Sequence, residues 1–272
     1  MTRAYFTAAT CAISLCVPLS GKTPSKKFSL GRIQMLYTIR KYSNLIPNNK
    51  ALTIWNKPLG FSSKFNKMKL TKEESLMIQL TIRVRSILIG LLLSDGYIQK
   101  RNDWNPRIGL KQSIINFPFL WSTFREISYL CSGTIMLSSN ILRDKLFNAV
   151  TIQTRQLACI IPLFNLFYVE NGNLWKKVIK PELLFYMDYM VLAYWIMGDG
   201  SKRNEDVTLY TDGFTLQEVV LLINILIIKF NINPTIHKEK KAFRIYINKI
   251  DLNKIRPHIT PYFVEHFLYK IT

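Results

Sequence analysis

One pattern occurs twice in this chain, and the duplication limits its architecture more than any other feature. Residues 87–96 read ILIGLLLSDG and residues 191–200 read VLAYWIMGDG: two apolar runs of helix length, each ending in Asp-Gly, with the aspartates 104 residues apart. The downstream parts correspond as well. Residues 107–113 (RIGLKQS) and 207–212 (VTLYTD) alternate like strands, and residues 118–130 and 215–230 place apolar residues at helical spacing. A two-strand region follows, with DKLF at 144–147 lying where KKAF lies at 240–243, and each copy closes on a helical stretch, 158–168 and 251–262. This order predicts an α+β fold of two pseudo-symmetric αββαββα repeats, residues 71–182 and 183–272. Alternating strands imply antiparallel sheets with one face on helices and the other open.

Residues 1–70 lack this periodicity, contain Pro18, Pro24, Pro47 and Pro58, and read as leader and linker. Thr71, with Glu74 three residues on, resembles a capping box that opens the first helix. Charge separates the same two regions. Residues 1–72 hold 13 of the 37 Lys and Arg and none of the 17 Asp and Glu, within a chain of formal charge +20. Such an excess points to a polyanion, with nucleic acid ahead of an anionic membrane. Residues 4–19, after Arg3, resemble a secretory signal, and the acid-free stretch to residue 72 resembles a mitochondrial presequence. In the body, charge interrupts every apolar run before about 20 residues, so no stable membrane association is expected. Cys11, Cys16, Cys131 and Cys159 show neither CxxC pairing nor zinc-ligand spacing. The 33 Ile and 19 Asn against 9 Ala fit AT-rich coding, as in an organellar genome.

An apolar helix that ends twice in Asp-Gly has a chemical reading. Packed about a pseudo-twofold axis, two such helices bring their terminal carboxylates together, and Gly90 permits close backbone approach. Neighbouring carboxylates repel, which predicts a raised pKa for at least one and relief by divalent metal. That pairing suits phosphodiester hydrolysis.

Residues 88–96 and 192–200 align without gaps to the nine-residue signature of the LAGLIDADG homing endonucleases, and the resemblance covers roughly residues 86–272. It is to the single-chain, two-repeat, intron-encoded organellar branch. The resemblance implies motif helices at a central interface, two saddle-shaped antiparallel sheets astride double-stranded DNA, and a monomer cutting both strands of a long site. It implies Mg2+, with Mn2+ as a substitute, at Asp95 and Asp199, and makes their neighbours Ser94, Gly96, Gly198 and Gly200 metal-site candidates. Lys177 and Lys270 match the basic residues flanking the metals, with Lys176 as the alternative register to Lys177. They would polarise water or offset transition-state charge. Two departures stand out: Tyr194 and Trp195 replace Gly and Leu, which predicts less symmetric helix packing, and Leu93 and Met197 stand where the signature has an acid.

DNA-contact candidates on the open faces are Arg107, Lys111, Ser113, Arg143, Lys145, Gln153 and Arg155 in the first repeat. In the second they are Lys202, Arg203, Tyr210, Lys238, Lys240, Lys241 and Arg244, since these residue types read base edges or neutralise phosphates. His237 is read as a polar surface residue of the same strand. The expected activity is site-specific double-strand cleavage in intron homing, in a mitochondrion or else a chloroplast. The alternatives are a maturase that stabilises group I intron RNA, with or without nuclease activity, and a non-catalytic DNA-binding protein.

Overall fold

The computed structural model describes residues 70–272 except Asn102, Thr134, Arg143, Asp144, Asn173, Lys240 and Lys241, and leaves aside the side chains of residues 140–147. The leader reading of residues 1–69 lies outside the described residues, as do Arg143, Lys240, Lys241 and the side chain of Lys145.

Helix α1 (Lys72–Met77) starts at the expected capping box: Thr71 Oγ1 accepts from the Glu74 N–H and Glu74 accepts from the Thr71 N–H. Helix α2 (Ile82–Leu93) is capped by Thr81 and α5 (Tyr189–Asp199) by Asp188. From Ile87 and Val191 onwards both are apolar on every side, as befits interior helices. Residues Ile87–Leu93 and Val191–Met197 are buried throughout. The two helices pack on each other as the central seam. At their N-terminal ends the Ser86 hydroxyl donates to Asp188 Oδ2 (2.5 Å), while Asp188 Oδ1 accepts from the Val191 N–H (2.7 Å), so one cap ties the two repeats together.

Each motif helix leads into a four-stranded antiparallel sheet. In the first, β1 (Gly96–Gln99), β2 (Arg107–Ser113), β3 (Met136–Leu142) and β4 (Lys145–Gln153) lie in the order β1-β2-β4-β3. After a hairpin, β5 (Tyr168–Asn171) and β6 (Leu174–Lys177), the second sheet takes the same order, β7-β8-β10-β9, from β7 (Gly200–Arg203), β8 (Asp206–Tyr210), β9 (Thr235–Glu239) and β10 (Ala242–Ile247). Helices α3 (Phe117–Ile127) and α6 (Leu216–Phe230) connect the strand pairs, and α4 (Ile161–Phe167) and α7 (Lys249–Ile259) close the two copies. This is the expected αββαββα order, twice over. The β5–β6 hairpin is additional, with no counterpart among the described residues of the second copy.

Period-two alternation assigns the sheet faces. Ile108 and Leu110 of β2, Val150 and Ile152 of β4, Val207 and Leu209 of β8, and Ile245 and Ile247 of β10 all point into the core. The residues between them form the open faces. Among the described residues, no helix is long and apolar enough to cross a membrane.

The departure at Tyr194 and Trp195 is absorbed at the seam. A Cβ on Gly90 would stand 2.6 Å from Tyr194 Cβ and 2.7 Å from the Val191 carbonyl oxygen, so only glycine fits beneath Tyr194. Trp195 is fully buried, with its indole N–H unpartnered.

Candidate active site

The seam helices end where both sheets begin, and their last turns touch. A Cβ on Gly198 would run into the Ser94 side chain and lie 3.8 Å from Asp95 Oδ2. The carboxylate of Asp95 therefore faces the backbone immediately before Asp199. Asp95 is exposed and Asp199 half-buried.

Two lysines close over this point from either side. Lys177 Nζ donates to the carbonyls of Ser94 (3.4 Å) and Gly96 (3.2 Å), and Lys270 Nζ to those of Ile196 (3.4 Å), Met197 (2.6 Å) and Gly198 (3.4 Å). Helix C-termini present unpaired carbonyls, which is why ammonium groups settle there. Lys177 arrives on β6, paired with Tyr168 across the hairpin, and Lys270 on a 3-10 turn, Glu265–Lys270. The sequence reading placed both just after a closing helix; the first in fact needs a hairpin to reach the seam. That hairpin lies along β1, where the Ile98 N–H donates to the Tyr168 hydroxyl (3.0 Å).

Charges at the site perturb one another. Burial and the neighbouring Asp95 carboxylate push the Asp199 carboxyl up to about 7, against the opposing pull of Lys177 and Lys270. Burial brings both lysines down to about 8, although the two aspartates act to raise them. Two acidic oxygen-bearing groups, one disfavoured in its ionised form, are what a hard divalent cation would relieve. Among the described residues, no three His, Cys, Asp or Glu side chains gather to hold a metal. The protein would thus contribute Asp95 and Asp199, with further oxygens from backbone, water and phosphate, a donor set that fits Mg2+. Of the neighbouring candidates, the carbonyls of Ser94, Gly96 and Gly198 accept from the lysines, and the Gly200 N–H donates to Ile196 O.

The pKa of Asp199 carries a sign. Raised in the folded state, it contributes stability that is present below about 4 and lost as pH rises towards 7. In metal-free buffer the parent should lose ~1–2 kcal/mol between pH 5 and 7 relative to Asp199→Asn, since solvent screening at this half-buried carboxylate reduces the full effect. Differential scanning calorimetry with EDTA measures this, and identical pH slopes for parent and variant would remove the basis for a strained carboxylate.

Two residues that the sequence does not single out also reach the candidate site. Gln112 Nε2 donates to Asp95 Oδ2 (2.6 Å), and Asn116 Nδ2 donates to Gln112 Oε1 (3.0 Å), so a two-step relay orients the carboxylate. The signal was available: Gln112 occupies an inward position of β2, in line with Ile108 and Leu110, where an unpartnered polar group would be costly. The register places Thr211 at the equivalent point of the second repeat, and its hydroxyl donates to Phe243 O.

Alternation sorts the DNA-contact candidates. Arg107, Lys111, Ser113 and Gln153 share the open face of the first sheet, and Arg203, Tyr210 and Arg244 that of the second. Arg107 is held by Gln99 Oε1 through Nε (3.0 Å) and Nη2 (2.8 Å), and His237 stacks on Tyr246 at 4.6 Å. Three candidates fall elsewhere. Lys202 pairs with inward-facing Val207, and its ammonium donates to Thr272 O (3.0 Å). Lys238 pairs with Phe243 on the helix side. Arg155 lies past β4, half-buried near Cys131 and Glu74. Counting basic residues cannot separate two faces that alternate residue by residue.

Paired apolar helices ending in acids, with an open, cation-bearing antiparallel sheet beside each end, define a class: a pseudo-symmetric polyanion-binding fold with a carboxylate pair at its seam. Residues 85–255 match the profile of the LAGLIDADG DNA endonuclease family. The chain is 38% identical over 196 residues to probable intron-encoded endonuclease 1 of Wickerhamomyces canadensis, covering 68% of this chain and 81% of that protein. It is 28% identical over 205 residues to cytochrome b mRNA maturase bI2 of Saccharomyces cerevisiae, covering 71% of this chain and 48% of that protein. Among solved structures, the homing endonuclease I-WcaI bound to its DNA recognition sequence superposes with a TM-score of 0.67 at 27% identity, over 82% of this chain and 98% of that one. The chain belongs to the LAGLIDADG DNA endonuclease family.

Proposed function

We propose that Asp95 and Asp199 hold divalent cations, Mg2+ or Mn2+ in its place, against the scissile phosphates of a duplex target gripped by the two open sheet faces. The chain is a site-specific DNA endonuclease of the homing type. The observation that carries it is the meeting of two motif-terminal carboxylates, flanked by half-buried Lys177 and buried Lys270, at the junction of the sheets. Residues 71–182 and 183–272 are the two repeats in this reading, each facing one half of the site in a monomer.

Held by Asp95 and Asp199, a divalent cation would supply a more acidic water and positive charge for the phosphoryl oxygens. The protein's own groups do the rest. Gln112, braced by Asn116, keeps Asp95 Oδ2 aimed at the seam. Lys177 and Lys270, each anchored by carbonyls at the motif end of its own repeat, hold positive charge at the site to offset the negative charge that accumulates on the phosphoryl group. With values near 8, each is also poised to move a proton at neutral pH. The sheet faces contribute Arg107, Lys111, Arg203 and Arg244.

Phosphate neutralisation makes such binding salt-dependent. Affinity for duplex DNA should fall on the order of a thousandfold between 50 and 200 mM salt, if about six phosphates are contacted. Fluorescence anisotropy measures it, and an affinity independent of salt would rule out the basic faces as the footprint. A cleavage assay on intron-lacking DNA, with and without Mg2+, tests the reaction itself.

The similarity to a maturase supports a second role, stabilising a host group I intron RNA, which a splicing assay on that intron tests. The same relatives support a mitochondrial setting.

A further inference from the structure

The two open faces differ in a way the pseudo-symmetry does not require. In the first sheet, Arg107 is oriented by a neutral partner, Gln99. In the second, Arg244 is oriented by acids: its Nε donates to Asp212 Oδ1 (3.5 Å) and its Nη1 to Glu239 Oε2, while the guanidinium lies over the Tyr210 ring at 4.2 Å. Cross-strand register accounts for the cluster, since Arg244 on β10 lies opposite Tyr210 on β8 and His237 on β9.

Acids on a face turned towards phosphates weaken general attraction for a polyanion. One guanidinium and two carboxylates sum to a net negative charge, so this cluster cannot serve as a phosphate neutraliser. Its donors tell a different story. A guanidinium has five N–H groups; the carboxylates take two, and three remain. Stacking on Tyr210 and two anchored nitrogens remove most of the rotamer freedom that an arginine ordinarily loses on binding. A rigid, locally neutralised guanidinium with spare donors suits a base edge, where guanine offers O6 and N7 as a matched pair of acceptors.

We propose that Arg244 reads a single guanine in the half of the target facing the second repeat, with Asp212, Glu239 and Tyr210 as positioning residues that keep it off the phosphates. The inference rests on the DNA-cutting reading above.

The test uses the full chain and duplexes selected by cleavage from a library randomised across the target. The parent should select guanine at one position facing the second repeat, and 7-deazaguanine there, which lacks N7, should weaken binding about tenfold. Arg244→Ala should lose preference at that position alone and become indifferent to 7-deazaguanine. Arg244→Lys guards against misfolding and should retain binding with reduced discrimination. Asp212→Asn combined with Glu239→Gln should bind mixed-sequence DNA more tightly than the parent while discriminating less at the same guanine, an outcome that a merely structural ion pair does not produce. Uniform weakening of all sequences by Arg244→Ala, with no single position relaxed, would overturn the inference and leave the nuclease reading intact. Failure to cleave any library member would instead sink the nuclease reading.

Discussion

Asp199→Asn and Asp95→Asn each reduce double-strand cleavage on the order of 10^3-fold or more, while duplex binding stays within a few-fold of the parent. The substitution is nearly isosteric and removes only the charge that would hold a cation. At position 95 the amide oxygen can still accept from Gln112 Nε2, so the relay through Asn116 survives. At position 199 the change removes a carboxylate that burial and Asp95 already disfavour, so the metal-free variant should be at least as stable as the parent at pH 7. Added Mg2+ should raise the melting temperature of the parent and leave Asp199→Asn nearly unmoved. Loss of cutting together with loss of the metal response separates a damaged site from a damaged fold. A variant that cuts both strands at the parental rate would show that its aspartate has no part in the chemistry.

Gly90→Ala costs about 3 kcal/mol, at the upper end for an overpacked core, and lowers the melting temperature by ~10 °C in a folded body of this size. The added Cβ meets the Val191 carbonyl at 2.7 Å, a backbone atom that no rotamer change can move, as well as Tyr194 Cβ at 2.6 Å. The seam helices must therefore separate, and the carboxylates at their ends separate with them. Cleavage should fall further than stability alone would explain, measured at a temperature where the variant is still folded. Gly213→Ala is the control: nothing lies within 4 Å of its Cβ, and it should stay within about 0.5 kcal/mol of the parent. Equal melting temperatures for both variants would mean the helices are not packed at Gly90.

Three residues show how far local pattern reaches. Gly90 was legible because a glycine in an apolar helical run has few uses besides close approach. Gln112 is legible in part, as a polar residue on the buried parity of β2, but alternation alone does not say which partner it meets there. Lys177 was found through its family position alone. The hairpin that delivers it consists of two four-residue strands, Tyr168–Asn171 and Leu174–Lys177, too short for a period to register. They are organised by packing on β1, where the Tyr168 hydroxyl accepts from the Ile98 N–H, and on α4, where the Trp175 ring is set edge-on to Phe164 at 4.8 Å.

By itself the sequence determined the duplicated element order, the motif helices and the pair of aspartates that close the two motifs. Each of these is written in contiguous residues, as a period, a cap or a repeated string, and needs no distant partner to be read. Only the tertiary structure decided which basic residues share an open face, that Gln112 steers Asp95, and that Arg244 is clamped by Asp212 and Glu239. The contacts of Gln112 and Arg244 alone join residues 5 to 32 positions apart, through register and side-chain reach. A shift of one residue in strand pairing would reverse the facing of every side chain involved, and the pairing is settled by burial of the whole sheet rather than by any one segment.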